Sequence, residues 1–556
     1  MFQKIKQTIA KIIVISRIFN QKELALAKIF VFLVILSALG LLINIHFSST
    51  RVIPDNGGTY KEAIVGYPQY LNPVLSYSND TDRDVVKLIY SGLTKFDSDG
   101  NIIPDLAEDF VIDDSGKIYT FYLRKNISWH DNIPFSIEDV LFTIKTIQNP
   151  EYNSPVRFNW DGVEVEKIND STIRFKLKNP YAPFLTNTTI GIIPKHIWEN
   201  LSPKDFYLSQ KNLEPVGTGP FKFSSIKKSA GKIIETLILE RNNQYYLKKP
   251  YLEKIVFVFQ NGEKKLIETL NQNKVDAIAL GSGFYKKNIK KQEHFSLYSP
   301  LLPRYFATFI NQEKNSFLAN QNTRIALSYA TNKELIIKEV FNGEALRVEG
   351  PFLQYLLPEK YSISSDVYEY SPDKAKQYLE KIPDKEKLDI TLTVPDIPEL
   401  SKTAETLQSS WQQVGFQVKI SLVPPADFID DIIRQRNYEI LIFGQVLNLD
   451  PDPFSFWHSS QKNDPGLNLS LYQNKTVDAL LKNARGELDA EKRLKLYGDL
   501  SSQIAKDIPA IFLYSPKYFY VVNEKIKGIK TTKINLPADR FASVENWYIE
   551  TKRVKK

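Results

Sequence analysis

The stretch IYSGLTKFDSDGNIIPDLAEDFVIDDSGKIYTFYLRKNISWHDNIPFSIEDVLFTI (89–144) decides how this chain folds. Within it, Ile118–Leu123 is an aromatic and β-branched run of strand length. Ser136 then opens a helix at Ile137, with Asp139 three residues on completing a capping box. Outward from this stretch, strand and helix patterns go on alternating. Thr172–Lys178 (TIRFKLK) sets apolar Ile173, Phe175 and Leu177 against basic neighbours, as a half-buried strand does. Lys254–Phe259 is a further strand. Ser371-Pro372 marks a helix start with proline at the first position. Thr403–Val414 aligns Ala404, Leu407, Trp411 and Val414 on one helical face; Gly415 ends it and the strand Phe416–Ile420 follows. The helix Glu491–Lys506 aligns Leu494, Tyr497, Leu500 and Ile504. Interleaved elements without a repeat predict mixed α/β lobes, and the length predicts two or three of them.

The N-terminal segment is different in kind. IFVFLVILSALGLLINIHF (29–47) has no charge before His46, and at ~1.5 Å rise per residue it nearly crosses a ~30 Å hydrocarbon core. Lys4, Lys6, Lys11, Arg17, Lys22 and Lys28 precede it, with Glu23 as the one acid, and Arg51 follows. That asymmetry predicts a single-pass anchor in the cell membrane, with a cytoplasmic N-terminus and the rest extracellular or periplasmic. A cleaved signal peptide is the alternative, but the preceding region is long and only Ser48-Ser49-Thr50 offers a weak cleavage site. A lipid-modified cysteine is excluded, since the chain has none. Ile5, Ile9, Ile12, Ile13 and Phe19 follow helical spacing within residues 1–28, as in a basic amphipathic helix lying on anionic lipid.

The formal charge of +8 suggests nucleic acid until it is divided. Residues 1–50 hold 6 of the 72 basic residues and 1 of the 64 acids, leaving 66 against 63. That balance argues against a phosphate-binding body, so no nucleic-acid partner is expected. Without cysteine there is no disulfide, thiolate nucleophile or thiolate metal site. The five histidines (His46, His130, His196, His294 and His458) are scattered, and no pair has metal-ligand spacing. No nucleophile elbow and no phosphate loop occur, and Gly281-Ser282-Gly283 is too little for a nucleotide site. Neither a metal nor a cofactor is expected. The 29 Tyr, 33 Phe and 6 Trp are mostly core material, and aromatics lining a cleft suit binding better than chemistry.

Several segments together resemble the family 5 extracellular solute-binding proteins, the dipeptide- and oligopeptide-binding components of ABC importers. GGTYKEAIVGYPQYLNPVLSYSNDTD (57–82) is similar to the family's opening strand and its L-N/D-P turn. The stretch 89–144 carries the Y-x-G-L, P-x-L-A-E, T-F-x-L-R and W-H-D-x-x-P-F features. PVGTGPFKF (215–223) and LERNNQYY (239–246) resemble the segment closing the small lobe. RIALSYATNKELI (324–336), YSPDKAKQYLEK (370–381), AETLQSSWQQVGFQVKI (404–420) and DPDPFSFWHSS (450–460) fit the large one.

The resemblance implies a two-lobed Venus-flytrap fold of the periplasmic-binding-protein type, with an extra inserted domain and no enzymatic activity. Lobe I is expected from 57–95, 204–299 and 512–550, the inserted domain from 96–203, and lobe II from 300–511. These follow a cytoplasmic segment (1–28), the anchor (29–47) and a stalk (48–56). It further implies a monomer that captures a short peptide and delivers it to ABC permease subunits served by separate ATPase subunits. A sensor or peptide chaperone, a receptor for a non-peptide solute, and an envelope hydrolase are the other readings. For the site, the resemblance implies Tyr70, Leu71 and Asn72 from one lobe. From the other it implies the loop GQVLNLDPD (444–452), with Asn448 and Leu449, and Trp457 and His458 beside it. Relatives that bind peptides place an acid in this loop against the ligand's amine. The aligned position here is Leu449, with Asp450 and Asp452 as the nearest acids, and both also suit turns with Pro451 and Pro453. Trp129-His130-Asp131 is expected to be structural. Arg324 is expected to form a lobe-stabilising salt bridge or to meet a ligand carboxylate.

Overall fold

The computed structural model describes residues 20–281, 288–290, 292–363, 367–382 and 388–556. The amphipathic pattern over Ile5–Phe19 and the turn residues Ser282 and Gly283 lie outside these.

Residues 58–547 form one compact unit. Its first sheet has seven strands, in the spatial order Phe295–Tyr298, Tyr518–Asn523, Ala277–Gly281, Thr59–Val65, Lys254–Gln260, Ile234–Arg241 and Phe221–Lys228. Thr59–Val65 is central and parallel to both neighbours, and it is buried on both faces at Ala63 and Ile64. The second sheet has six: Ala345–Arg347, Ala510–Pro516, Arg304–Ile310, Ile440–Val446, Asp389–Pro395 and Gln417–Val423. The parallel pair Asp389–Pro395 and Gln417–Val423 needs a crossover. The helix Pro398–Gln412 supplies it, starting earlier than Thr403 because Pro398 is tolerated at the first turn. A four-stranded antiparallel sheet is built from Ala107–Ile112, Ile118–Leu123, Thr172–Leu177 and Val163–Asn169. Of the runs read from the sequence, Ile118–Leu123 is a strand with identical bounds, and the alternating run Thr172–Lys178 is one that ends at Leu177.

The core follows the pleat of the second sheet. Along Arg304–Ile310, Tyr305, Ala307 and Phe309 enter one apolar cluster with Trp457, Leu500 and Phe512. Ile310 and Phe306 serve the opposite cluster, with Leu407, Trp411 and Val418. Trp411 is fully buried, and its indole N–H donates to Thr331 Oγ1 at 3.0 Å.

Two motifs far apart in the chain explain each other. A Cβ on Gly217 would lie 1.9 Å from the Ile89 carbonyl oxygen, so only glycine permits this approach. His130 fastens the same turn: its Nδ1 accepts from Gly217 N–H (3.2 Å) and its Nε2 donates to Gly219 O (3.0 Å). The Trp129-His130-Asp131 motif is therefore a lock on the Gly217–Gly219 turn, and Asp131 pairs with His196 at 2.8 Å.

The chain leaves the first sheet at Tyr298 and enters the second at Arg304. It returns across Lys517 alone, between Pro516 and Tyr518. The strand Ala510–Pro516 pairs wholly within the second sheet, so the expected change of lobe at 511/512 falls inside a strand.

The other unit comprises residues up to 57 together with 548–556. Its helix Gln21–Ser49 is capped by Asn20 and Glu23 and is long and apolar enough to cross a membrane. It contains the expected 29–47 span. The expected stalk at 48–56 is instead largely a strand, Thr50–Pro54, paired antiparallel with Thr551–Lys555. Arg553 ties the ribbon to the helix end, donating to Thr50 Oγ1 (3.0 Å) and stacking on Phe47.

Candidate functional site

The first loop leaves the central strand of the first sheet. Gly66, at φ +95°, turns the chain after Val65, and Thr81 Oγ1 donates to the Val65 carbonyl at 2.8 Å. The Asp82 carboxylate then accepts from Gln69 N–H (2.7 Å) and Tyr70 N–H (3.0 Å). Burial raises its pKa to about 6, against these amide hydrogen bonds. Tyr70 is half-buried, with its ring edge-on to Tyr207. Leu71 and Asn72 are fully buried. Leu71 N–H donates to Asn212 O (2.7 Å), and Asn72 bonds Asn212 and accepts from Val74 N–H. Their side chains build the loop, and Tyr67, Gln69 and Tyr70 form its accessible surface.

The second loop follows the strand Ile440–Val446. Leu447 N–H donates to Pro303 O at 2.6 Å, which seats the loop beside the crossing between sheets. From there it meets Asn535. Leu449 N–H donates to Asn535 Oδ1 (2.8 Å), and Asn535 Nδ2 donates to Asn448 Oδ1 (3.3 Å). Gly100, at φ +84°, makes room for the Leu449 side chain. A small pocket of about 80 Å³ adjoins Asn535, lined also by Tyr77, Lys87 and Asp539.

Both acids of the loop already have cationic partners. Asp450 accepts from Arg493 Nη2 at 3.1 and 3.3 Å. Burial raises its pKa, with Arg493 opposing the rise. Asp452 is held in a fork by Arg485, with contacts of 2.6 to 3.0 Å. Arg485 also lies over the Phe454 ring and near Tyr181, while Ala182 N–H donates to its carbonyl. The two guanidiniums thus fasten the loop, and Arg485 also ties it to the segment at Tyr181 and Ala182. Beneath that junction opens a cleft of about 1180 Å³, lined by Tyr181, Phe184, Phe454, Lys482 and Arg485.

Trp457 and His458 are buried away from this surface. Trp457 packs on Phe309 and Phe512; His458 stacks on Phe454, with Nδ1 against Ser460 Oγ at 2.8 Å. Among the described residues Arg324 has no carboxylate within 4 Å, so the expected lobe-stabilising salt bridge is replaced by hydrogen bonds to carbonyls. It donates to the carbonyls of Leu318, Ala319 and Asp507 and so joins the ends of the helices Ser316–Ala319 and Ala490–Asp507. Asn535, Arg485 and Arg493 were not singled out from sequence, where no local pattern sets them apart from other polar residues. Among the described residues no group of three or more His, Asp or Glu side chains gathers as a metal site.

Comparison with known proteins gives these loops a context. Residues 101–466 match the description of the bacterial extracellular solute-binding proteins, family 5. The oligopeptide-binding protein AppA of Bacillus subtilis is 27% identical over 517 residues, covering 89% of this chain and 92% of AppA. The dipeptide-binding protein of Escherichia coli is 28% identical over 495 residues, covering 83% and 90%. Among solved structures, NikZ of Campylobacter jejuni in complex with Ni(L-His) superposes with a TM-score of 0.71 at 29% identity, covering 88% of this chain and 99% of NikZ. With its ordered motifs, its two large mixed sheets and a match over most of its length, the chain belongs to the family 5 bacterial extracellular solute-binding proteins.

Proposed function

We propose that this protein is a membrane-tethered receptor that captures short peptides between two lobes and hands them to an ABC permease. The observation that carries this reading is the contact that Asn535 makes with the second loop. Tyr67–Asn72 and Asn535 belong to the first lobe and Leu447–Asp452 to the second, and Asn535 bonds the second loop directly. A solute seated there touches both lobes only when they are together, which is how binding favours closure. The crossings at 299–303 and Lys517 are short enough to act as the hinge. Tyr70, Asn448 and Leu449 contact the solute directly; Leu71, Asn72, Asp450, Asp452, Trp457 and His458 hold the loops in place. AppA and the E. coli protein are named for peptides, a ligand class that backbone hydrogen bonds recognise whatever its side chains.

The helix Gln21–Ser49 anchors the chain with its N-terminus in the cytoplasm, keeping the monomeric receptor close to its permease. ATP hydrolysis belongs to separate subunits, and the receptor itself is no enzyme. One observation favours a second reading, a non-peptide chelate: the similarity to NikZ, whose solved structure holds Ni(L-His). Native mass spectrometry of the full chain released from detergent separates the two. A ladder of short peptides supports the first reading; a single non-peptide mass overturns it in favour of the second.

A further inference from the structure

The helix Gln21–Ser49 runs into a ribbon that is more basic than the sequence around it suggests. Along the chain, Arg51 is the one cation that closely follows the apolar span. The antiparallel pairing of Thr50–Pro54 with Thr551–Lys555 brings Lys552, Arg553, Lys555 and Lys556 to the same place. Its register sets Lys555 opposite Thr50, and Lys556 N–H donates to the Ser49 carbonyl at 2.9 Å. Both lysines therefore stand level with the end of the helix. Arg553 reaches back along it, with its guanidinium 4.3 Å over the Phe47 ring and Nη2 donating to the Phe47 carbonyl at 3.4 Å. With Arg51, four exposed cations gather where the apolar span stops.

Counter-charges are unevenly spread along this ribbon. Lys552, opposite Ile53 and farther from the helix, pairs with Asp55 at 3.0 Å. Among the described residues no carboxylate comes within 4 Å of Arg51, Arg553, Lys555 or Lys556. A helix C-terminus attracts cations by its exposed carbonyls, and Arg553 answers that need through Phe47. It does not explain the other three, and like charges held together repel unless they share an anion. We propose that the ribbon rests on the phosphate headgroups of anionic lipid, through Arg51, Arg553, Lys555 and Lys556. Headgroups lie just outside the hydrocarbon core, at the level where an apolar span ends. Each lysine or arginine held near such a surface strengthens attachment by about fivefold, and a guanidinium meets phosphate with paired donors. Lipid phosphate then bridges the two strands and steadies the ribbon against fraying. This rests on the reading above that Gln21–Ser49 spans a membrane, and adds which lipid its outer end prefers.

The test is hydrogen exchange of the full chain in nanodiscs of phosphatidylcholine, alone or mixed with phosphatidylglycerol. Amides at 29–47 report the anchor, and those at 50–54 and 551–555 report the ribbon. The expected result is protection at 29–47 in both lipids, with ribbon exchange about fivefold slower where phosphatidylglycerol is present. High salt removes that slowing. So does the triple variant Arg51→Gln, Lys555→Gln, Lys556→Gln, whose exchange in phosphatidylcholine matches the wild type. Arg553 stays in place, because its bonds to Thr50 and Phe47 hold the ribbon to the helix. Equal ribbon exchange in the two lipids overturns the proposal while the anchor stands. Slowing that survives the triple variant overturns it too, as does the same slowing in phosphatidylcholine with inorganic phosphate, which makes the site one for a free anion. If the variant's ribbon comes apart in phosphatidylcholine, the wild type decides: slowing that salt removes supports the proposal, and slowing that salt leaves overturns it. Rapid exchange at 29–47 in both lipids refutes the anchor itself, and the proposal falls with it.

Discussion

Asn535 and Arg540 lie five residues apart and do opposite kinds of work. Asn535 spends its amide across the cleft, on Asn448 and on the Leu449 N–H. Replacing it by alanine removes two modest hydrogen bonds at a partly open site. Asn535→Ala is therefore expected to weaken solute binding about tenfold, roughly 1–1.5 kcal/mol, with little change in melting temperature. Calorimetric titration beside thermal melting checks both halves. Arg540 is sealed inside the first lobe, with Nη1 and Nη2 on Asp84 at 2.7 Å and Nε and Nη2 on Glu62 at 3.0 and 2.7 Å. Arg540→Ala leaves two buried carboxylates unpaired and is expected to cost about 3–5 kcal/mol in denaturant unfolding. Neither role was legible in the sequence. A pairing across roughly 90 or 480 residues leaves no local pattern, and an arginine reads the same whether it is solvated or buried. The acids of the 450–452 loop were legible as a loop feature, but not their engagement by Arg485 and Arg493.

At the scale of elements, the lock between His130 and the Gly217–Gly219 turn sets a pH dependence. Burial is the chief cause that lowers the His130 pKa from 6.5 to about 4, and the Gly219 carbonyl opposes it. The unfolded chain therefore takes up this proton first as pH falls. Stability is intact above pH 6.5 and is lost as pH drops toward 4, by roughly 2–3 kcal/mol. His130→Gln can still accept from one amide and donate to the other carbonyl without titrating. Its urea midpoint is expected to lose that part of the acid dependence, measured from pH 7 to pH 4.5. The terminal ribbon carries the second prediction at this scale. An isolated two-stranded ribbon is marginal, so Thr50–Pro54 depends on Thr551–Lys555. Removing residues 551–556 is expected to raise the rate of tryptic cleavage after Arg51 by about tenfold. The sequence showed the strands and helices well wherever apolar spacing was regular, as at Thr172–Leu177 and Ala490–Asp507. It did not show this ribbon, because TRVIP and TKRVK are short and solvated, and their pairing joins opposite ends of the chain.

For the whole molecule, the mixed α/β architecture and the family were legible through the ordered motifs. Where the chain changes lobe was not: Ala510–Pro516 and Tyr518–Asn523 read as one long apolar run broken by Lys517. A run of that kind carries no mark of which sheet each half joins. The central claim is that solute is held between loops from both lobes. Hydrogen exchange of the full chain, with and without bound alanine oligomers, tests it most directly. The account predicts slowed exchange at 67–72 and around Asn535 in the first lobe and at 447–452 in the second, appearing together at one solute concentration. Protection confined to one lobe, or to the cleft lined by Tyr181, Phe184 and Lys482, would contradict it.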